Sequence, residues 1–289
     1  MAQTVTIMID PGHGGSDPGH LSANANHLKE KDLNLLIAKK FGAYLTEKLA
    51  NVKVLYTRTD DTYPTLDSRV DMANNQKVDY FISIHCNSSG STATKGTESH
   101  VHTMSSKKSV RLANIFETEF KTKAGRTSRG VKDSDDREHS LQVLKFTEMT
   151  SVLVECGFLT NVSEANFLNT TNGQDLIASA LFRGMRTYLK EAHPTIKFEK
   201  TATTTASSKG TSNSSSVTYT VQIMSSKEWM DTEKSPFTKL SKSVSRTQVS
   251  QTGYKYKYTS GSFTTKEEAQ KYQKEVQSKG FKDAIIVTK

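Results

Sequence analysis

No run of about 20 apolar residues occurs in this chain, so no segment reads as a membrane-spanning helix. Met1 is not followed by a basic stretch, an apolar stretch and a small-residue cleavage site. The expectation is a product made in the cytoplasm without a signal peptide and not inserted in a membrane. Cysteine is nearly missing as well: Cys86 and Cys156 are the two among 289 residues, which excludes a disulfide-built scaffold. They directly follow His85 and Glu155, and neighbours on a strand point to opposite faces. Both therefore read as buried small hydrophobes, with a thiol ligand or a disulfide as the alternative. Charge of one sign is not in short supply overall, but it is uneven. Lys and Arg balance Asp and Glu at 23 to 22 over residues 1–192, and exceed them at 16 to 8 over residues 193–289. The net charge of +9 thus belongs to the C-terminal part. Such an excess suits nucleic acid, anionic lipid, an acidic wall polymer or plain solvation.

What is present is a set of short apolar runs, each ending in a polar residue. Thr6-Ile7-Met8-Ile9 leads into Asp-Pro-Gly-His13-Gly-Gly, Phe81-Ile82-Ser83-Ile84 into His85, and Val152-Leu153-Val154 into Glu155. Runs of that length and β-branched content predict buried strands, and in α/β sheets ligands collect beyond the carboxyl ends of the strands. Helical stripes lie between them: Leu33, Leu36, Ile37, Phe41, Tyr44 and Leu45 over 30–49, and Leu176, Ile177, Ala180, Leu181, Met185 and Leu189 over 175–190. Further strands are expected at 52–57 and 96–102, and helices at 66–75 and 109–121. The alternation implies an α/β unit with a mostly parallel central sheet flanked by helices, over residues 1–192. A Ser/Thr-rich linker follows over 193–217, its composition unable to bury apolar area. Residues 218–289 read as two strand-helix-strand halves of a small α+β ferredoxin-like domain, with helical segments at 229–243 and 266–279.

Two imidazoles and a carboxylate converging on strand ends suggest a metal. A catalytic zinc takes three protein ligands and leaves one position open. His13 and His85 supply two ligands, and the third should be a carboxylate near them in space. Glu30 follows the polar loop after the His13 turn, though an acidic residue in the first turn of a helix is also simply favourable there. His13 alone reads as a turn donor and His85 alone as a core histidine. His100 and His102 alternate as a metal pair would, yet no carboxylate or cysteine motif completes them.

Asp10-Pro11-Gly12-His13-Gly14-Gly15, Glu30-Lys31-Asp32-Leu33-Asn34, Thr57-Arg58, Arg69 with Ala73-Asn74, Ser83-Ile84-His85-Cys86-Asn87 and Val154-Glu155-Cys156-Gly157-Phe158-Leu159-Thr160-Asn161 closely resemble the zinc-dependent N-acetylmuramoyl-L-alanine amidases of the Amidase_3 family. The resemblance runs over about residues 4–190, in the family's order. It implies His13, Glu30 and His85 as ligands of one zinc ion and Glu155 as the catalytic glutamate. It also implies peptidoglycan as substrate, cut between the lactyl group of muramic acid and the first L-alanine of the stem peptide. Zinc suits that bond by polarising the carbonyl and supplying a nucleophile near neutral pH, while Glu155 carries the proton. Asn87 is a candidate for substrate binding or for capping a turn, and Arg69 for holding the fold through a carboxylate. Thr150 stands where the family usually has proline, which should alter strand entry and not the reaction. The acidic run at 133–139 sits where the family often carries a loop near its cleft.

Tyr219-Thr220-Val221-Gln222-Ile223, Tyr256-Lys257-Tyr258-Thr259-Ser260-Gly261-Ser262-Phe263 and Gly280-Phe281-Lys282-Asp283-Ala284 resemble a SPOR-type peptidoglycan-binding domain. Met224-Ser225-Ser226 departs from the turn usual in its first half. The resemblance implies binding of glycan strands, with Gln222 and Lys257 as candidates for the ligand-facing surface. An RNA-binding sheet would show aromatics for stacking, whereas Tyr256 and Tyr258 alternate as burial requires. The expected protein is a monomeric peptidoglycan amidase without a nucleic-acid partner, acting on the wall after release by lysis or a membrane pore. A phage endolysin and a mother-cell autolysin of a spore former both fit. The rivals are an inactive wall-binding regulator and a different zinc peptidase acting on the same polymer.

Overall fold

A computed structural model describes residues 4–137, 140–200, 219–226, 228–251 and 254–288. It divides into two units, Met1–Thr203 and Thr204–Lys289. The first is built from β1 (Val5–Pro11), α1 (Glu30–Lys48), β2 (Val52–Tyr56), α2 (Leu66–Asn75), β3 (Tyr80–Asn87), β4 (Thr97–His100), α3 (Lys107–Lys123), β5 (Ser128–Lys132), α4 (Ser134–Arg137), α5 (Gln142–Lys145), β6 (Thr150–Phe158), α6 (Val162–Leu168) and α7 (Thr171–Ala192). Its sheet runs β2-β1-β3-β6-β4-β5. β2, β1, β3 and β6 are parallel; β4 runs antiparallel to β6, with β5 parallel beside it.

Alternation along the strands sorts the two faces. Ile7, Ile9, Ile82, Ile84, Val152, Val154, Cys86 and Cys156 point to one face and pack with α1, α3 and α7 in the main core. Met8, Phe81 and Leu153 point to the other, where a smaller cluster includes Ala73 of α2 and Val143 and Leu144 of α5. Further along that second face the side chains turn polar: Asp10, Ser83, His85 and Glu155. The chemistry therefore begins where the smaller apolar layer stops. The α1 stripe is buried at Leu33, Ile37, Phe41 and Leu45, but Leu36 is exposed, because the helix packs along a narrower seam than its sequence offers.

Residues 193–200, expected in the linker, are docked on the first unit. Phe198 is fully buried in its core, Tyr80 Oη lies 2.7 Å from His193 Nε2, and Ala50 N donates to the Phe198 carbonyl. The rest of that expected linker, residues 201–217, lies outside the described residues, as do Glu138 and His139 of the acidic run. Thr150 opens β6 opposite Tyr80, in regular register.

The second unit contains β7 (Tyr219–Ser226), β8 (Val244–Gln251), β9 (Tyr254–Phe263), α8 (Lys266–Ser278) and β10 (Ile285–Thr288), in an antiparallel sheet of order β10-β7-β9-β8. Tyr258, Val221, Ile223, Ala269, Tyr272 and Val276 form its core. The helix expected at 229–243 is replaced by turns and one short 3-10 segment, Phe237–Lys239. Pro236 disfavours helical backbone at the residue before it, and Phe237 enters the core from the short turn instead.

Candidate metal centre and active site

The His13 turn is strained and clamped. His13 has φ +61°, a left-handed conformation costly for a residue with a Cβ. Two buried arginines secure it: Arg58 donates to the carbonyls of Pro11 and Gly12, and Arg69 to those of Pro11 and His13. Arg69 also pairs with Asp10 at 2.6 Å, as the sequence suggested, while Thr57 and Ser83 donate to the same carboxylate. Burial pushes the Asp10 carboxyl up, yet Arg69 and the two hydroxyls outweigh it and hold the group below its ordinary value.

α1 delivers the third group. Leu33, Ile37 and Phe41 seat the helix on the sheet, and its first residue, Glu30, then lies buried beneath both imidazoles. His13 Nε2 and His85 Nδ1 each stand 3.1 Å from Glu30 Oε1, with ring centroids 4.9 Å apart. Glu30 Oε2 accepts from the His20 amide, and Oε1 from the Cys86 amide and from Asn34 one turn along α1. Burial pushes Glu30 up, but the two histidines hold it ionised, well below the usual carboxylate range. Burial likewise lowers His13, and Glu30 and Asp17 overcome that to raise it. His13 Nδ1 meets Asp17 Oδ2 at 2.8 Å, a carboxylate-histidine pair of the kind that orients a metal-binding imidazole.

The donor set suits a metal ion. One ligand atom from each of His13, Glu30 and His85 lies within 4.8 Å of the others, and two imidazoles with one carboxylate match the ligand types of a catalytic zinc. Glu155 stands on β6 directly opposite His85 on β3. Its Oε2 is buried without a hydrogen-bond partner among the described residues. Burial first, then the negative charge of Glu30 and, less, that of Glu98, push its carboxyl well above the usual range. Such a carboxyl holds a proton more readily than an ordinary exposed one.

The other candidates separate from this group. Asn87 ends β3 with its Oδ1 accepting from the Ser88 amide. His100 contacts Arg137 and lies 4.0 Å from Glu98, and His102 falls beyond the end of β4; no second metal cluster forms among the described residues. Cys86 and Cys156 are buried on the opposite sheet face as free thiols. Cys156 as a neighbour, and then burial, push the Cys86 thiol well up, so Cys86 stays a neutral thiol. In the second unit Gln222 and Lys257 alternate away from the core residues beside them and are half-buried.

With that geometry, comparison is decisive. The family described as N-acetylmuramoyl-L-alanine amidase matches residues 7–187, and the SPOR domain matches residues 215–288. The chain belongs to the N-acetylmuramoyl-L-alanine amidase family. It is 36% identical over 188 residues to the sporulation-specific N-acetylmuramoyl-L-alanine amidase of Bacillus subtilis strain 168, covering 65% of this chain and 68% of the relative. A crystal structure of an N-acetylmuramoyl-L-alanine amidase from Clostridium difficile 630 is 34% identical with a TM-score of 0.61, over 65% of this chain and 98% of that one. The catalytic domain of the amidase CwlV from Bacillus (Paenibacillus) polymyxa var. colistinus is also 34% identical, TM-score 0.59, over 65% of this chain and 99% of that one. Sequence reasoning passed over Arg58 as a clamp of the amidase turn. Its signal was the adjacency of an arginine to a strand end, which is common and uninformative alone.

Proposed function

We propose that this chain is a zinc-dependent hydrolase of the amide joining N-acetylmuramic acid to L-alanine in peptidoglycan, with the C-terminal SPOR unit binding the wall. The observation that carries the metal reading is the single Glu30 oxygen reached by both His13 and His85. In this reading His13, Glu30 and His85 hold one zinc ion, which when bound polarises the amide carbonyl and acidifies water. Glu155 takes the proton of the attacking water and returns it to the leaving nitrogen of alanine. Its Oε2 has no hydrogen-bond partner among the described residues, so no protein donor competes for that oxygen. Asp17 fixes the His13 ring, and Arg58 and Arg69 fix the turn that carries it. Gln222 and Lys257 belong to the wall-facing side of the SPOR sheet. The enzyme reaches its polymer after release by lysis or a membrane pore, as a monomer without a nucleic-acid partner.

The test is digestion of purified peptidoglycan by the zinc-loaded full chain, with and without chelator. New alanine amino termini without new reducing sugars, lost on chelation, are expected. Glu155→Gln should retain stoichiometric zinc and lose turnover by at least about a hundredfold, the lower range for removing a general acid-base group. New reducing ends, or full activity in Glu155→Gln, would overturn the reading.

A further inference from the structure

The polar face that carries His85 and Glu155 does not end at β6. Glu98 on β4 stands directly opposite Glu155, and His100 on β4 directly opposite Lys132 on β5. Arg129 reaches the same face through a bulge. Thr97 pairs with Ser128 and Ser99 with Val131, so β5 spends one extra residue there, and Gly130 takes φ +84°. Without that extra residue, side chains three apart on a strand would point to opposite faces; a bulge re-aims one of them. Both cations then converge on Glu98. Arg129 Nε lies 2.7 Å from Oε1, and Lys132 Nζ 3.1 Å from Oε2.

This cluster is open to solvent on its cationic side alone. Glu98 is 6% exposed, Arg129 36% and Lys132 30%. Burial pushes Glu98 up, and its two cations bring it below the ordinary range, so it is ionised. His100 is pushed down to about 4 by burial and then by Arg137, so it adds no charge at neutral pH. Within the cluster two cations face one anion, one positive charge in excess; of the acidic residues that follow Lys132, Asp133 and Asp136 accept instead from the Met104, Asp135 and Asp133 amides. Among the described residues Glu98 is the one hydrogen-bond partner of the Arg129 side chain, so its remaining guanidinium donors have no protein acceptor. The cationic heads gather at Glu98, one strand spacing from Glu155, while β5 itself lies two away, so the shelf spans roughly 5–10 Å from Glu155 at about 4.8 Å per strand. An extended peptide advances about 3.4 Å per residue, so that span falls at about the second or third residue.

We propose that Arg129 and Lys132, pre-set by buried Glu98, form a shelf that reads a free carboxylate on the second or third residue of the stem peptide. This rests on the amidase reading above. The glycan side of the scissile bond offers no such group, because the lactyl carboxyl is consumed in the amide. An excess of positive charge beside the cleft therefore selects the peptide side. Anchoring by Glu98 matters because a restrained donor fork loses less freedom on binding than a free side chain.

The experiment compares three disaccharide tripeptides: one with all carboxylates free, one amidated at the second residue and one amidated at the third. Zinc-loaded full chain is expected to lose about tenfold in kcat/KM on one of the two amidations, the size of one charge-assisted hydrogen bond. The sensitive position names the residue that is read. Arg129→Gln and Lys132→Gln should each shrink that ratio toward one. Dissociation constants of the same three compounds, measured by calorimetry with the full-length Glu155→Gln protein, should show the same ranking. Equal treatment of all three by the wild type, in turnover and in binding, would overturn the shelf, as would an unchanged ratio in both folded variants. Failure to cleave any of them would instead defeat the amidase reading, and the binding ratios would then decide the shelf alone. The wild-type comparison needs no variant, so a misfolded one does not spare the proposal.

Discussion

Asp10 shows how much of the site depends on a residue that touches no ligand. Its carboxylate sits 1% exposed beneath the His13 turn and is shared by Arg69, Thr57 and Ser83. Replacing one partner of a buried pair leaves the other charge uncompensated, typically at 3–5 kcal/mol, so Asp10→Asn should destabilise the first unit by about that amount at neutral pH. The pH dependence follows from the direction of the shift. The folded carboxyl titrates below its unfolded value of about 4, so its contribution is complete above that value and is lost as pH falls through the folded one. Urea unfolding of both proteins from pH 7 down to pH 2 should show the gap narrowing only at the acid end. A gap that stays constant across that range would refute the role assigned to the Asp10 charge.

At the scale of elements, the site is an agreement between strand ends and one helix start. β1 and β3 approach so closely that a Cβ built on Gly12 would lie 2.2 Å from the His85 ring. Gly12→Ala must therefore push β3's imidazole away from Glu30, and zinc affinity should fall about 10–100-fold, as when ligand-orienting contacts are lost. Competition with a chromophoric chelator measures this directly, and unchanged affinity would show that the turn yields instead. β1, β3, β6, α1 and α7 were legible because their apolar periodicity is strong and uninterrupted. β5 was not, because Ser-Arg-Gly-Val-Lys has one apolar residue and a bulge, so no alternation survives to be read. β8 escaped for a related reason: Val-Ser-Arg-Thr-Gln-Val-Ser-Gln is polar at most positions and lies after a stretch that looked helical. Glu30 was legible through resemblance alone. Its approach to the histidines is produced by α1 docking through Leu33, Ile37 and Phe41, a tertiary event that no local pattern encodes.

At the scale of the whole chain, each of the two units has its own core, so catalysis and wall retention are separable. The amidase family match ends at residue 187 and the SPOR match begins at 215, so neither draws residues from the other. A Clostridium difficile amidase chain is matched over 98% of its length by 65% of this one, about the extent of the first unit. Covalent linkage then acts through effective concentration: once one unit holds the polymer, the second binds as if intramolecularly, with gains of about 10²–10⁴ in overall affinity. A chain truncated after Thr203 should therefore lose about a hundredfold in binding to purified sacculi while cleaving soluble disaccharide peptides within about twofold of the full chain. The soluble substrate is the control, since it presents one site at a time and gains nothing from a second contact. Co-sedimentation with sacculi and turnover of the soluble compound, measured on the same two preparations, separate the contributions. Equal losses in both assays would mean that the C-terminal unit supports the amidase fold, and would refute a retention role.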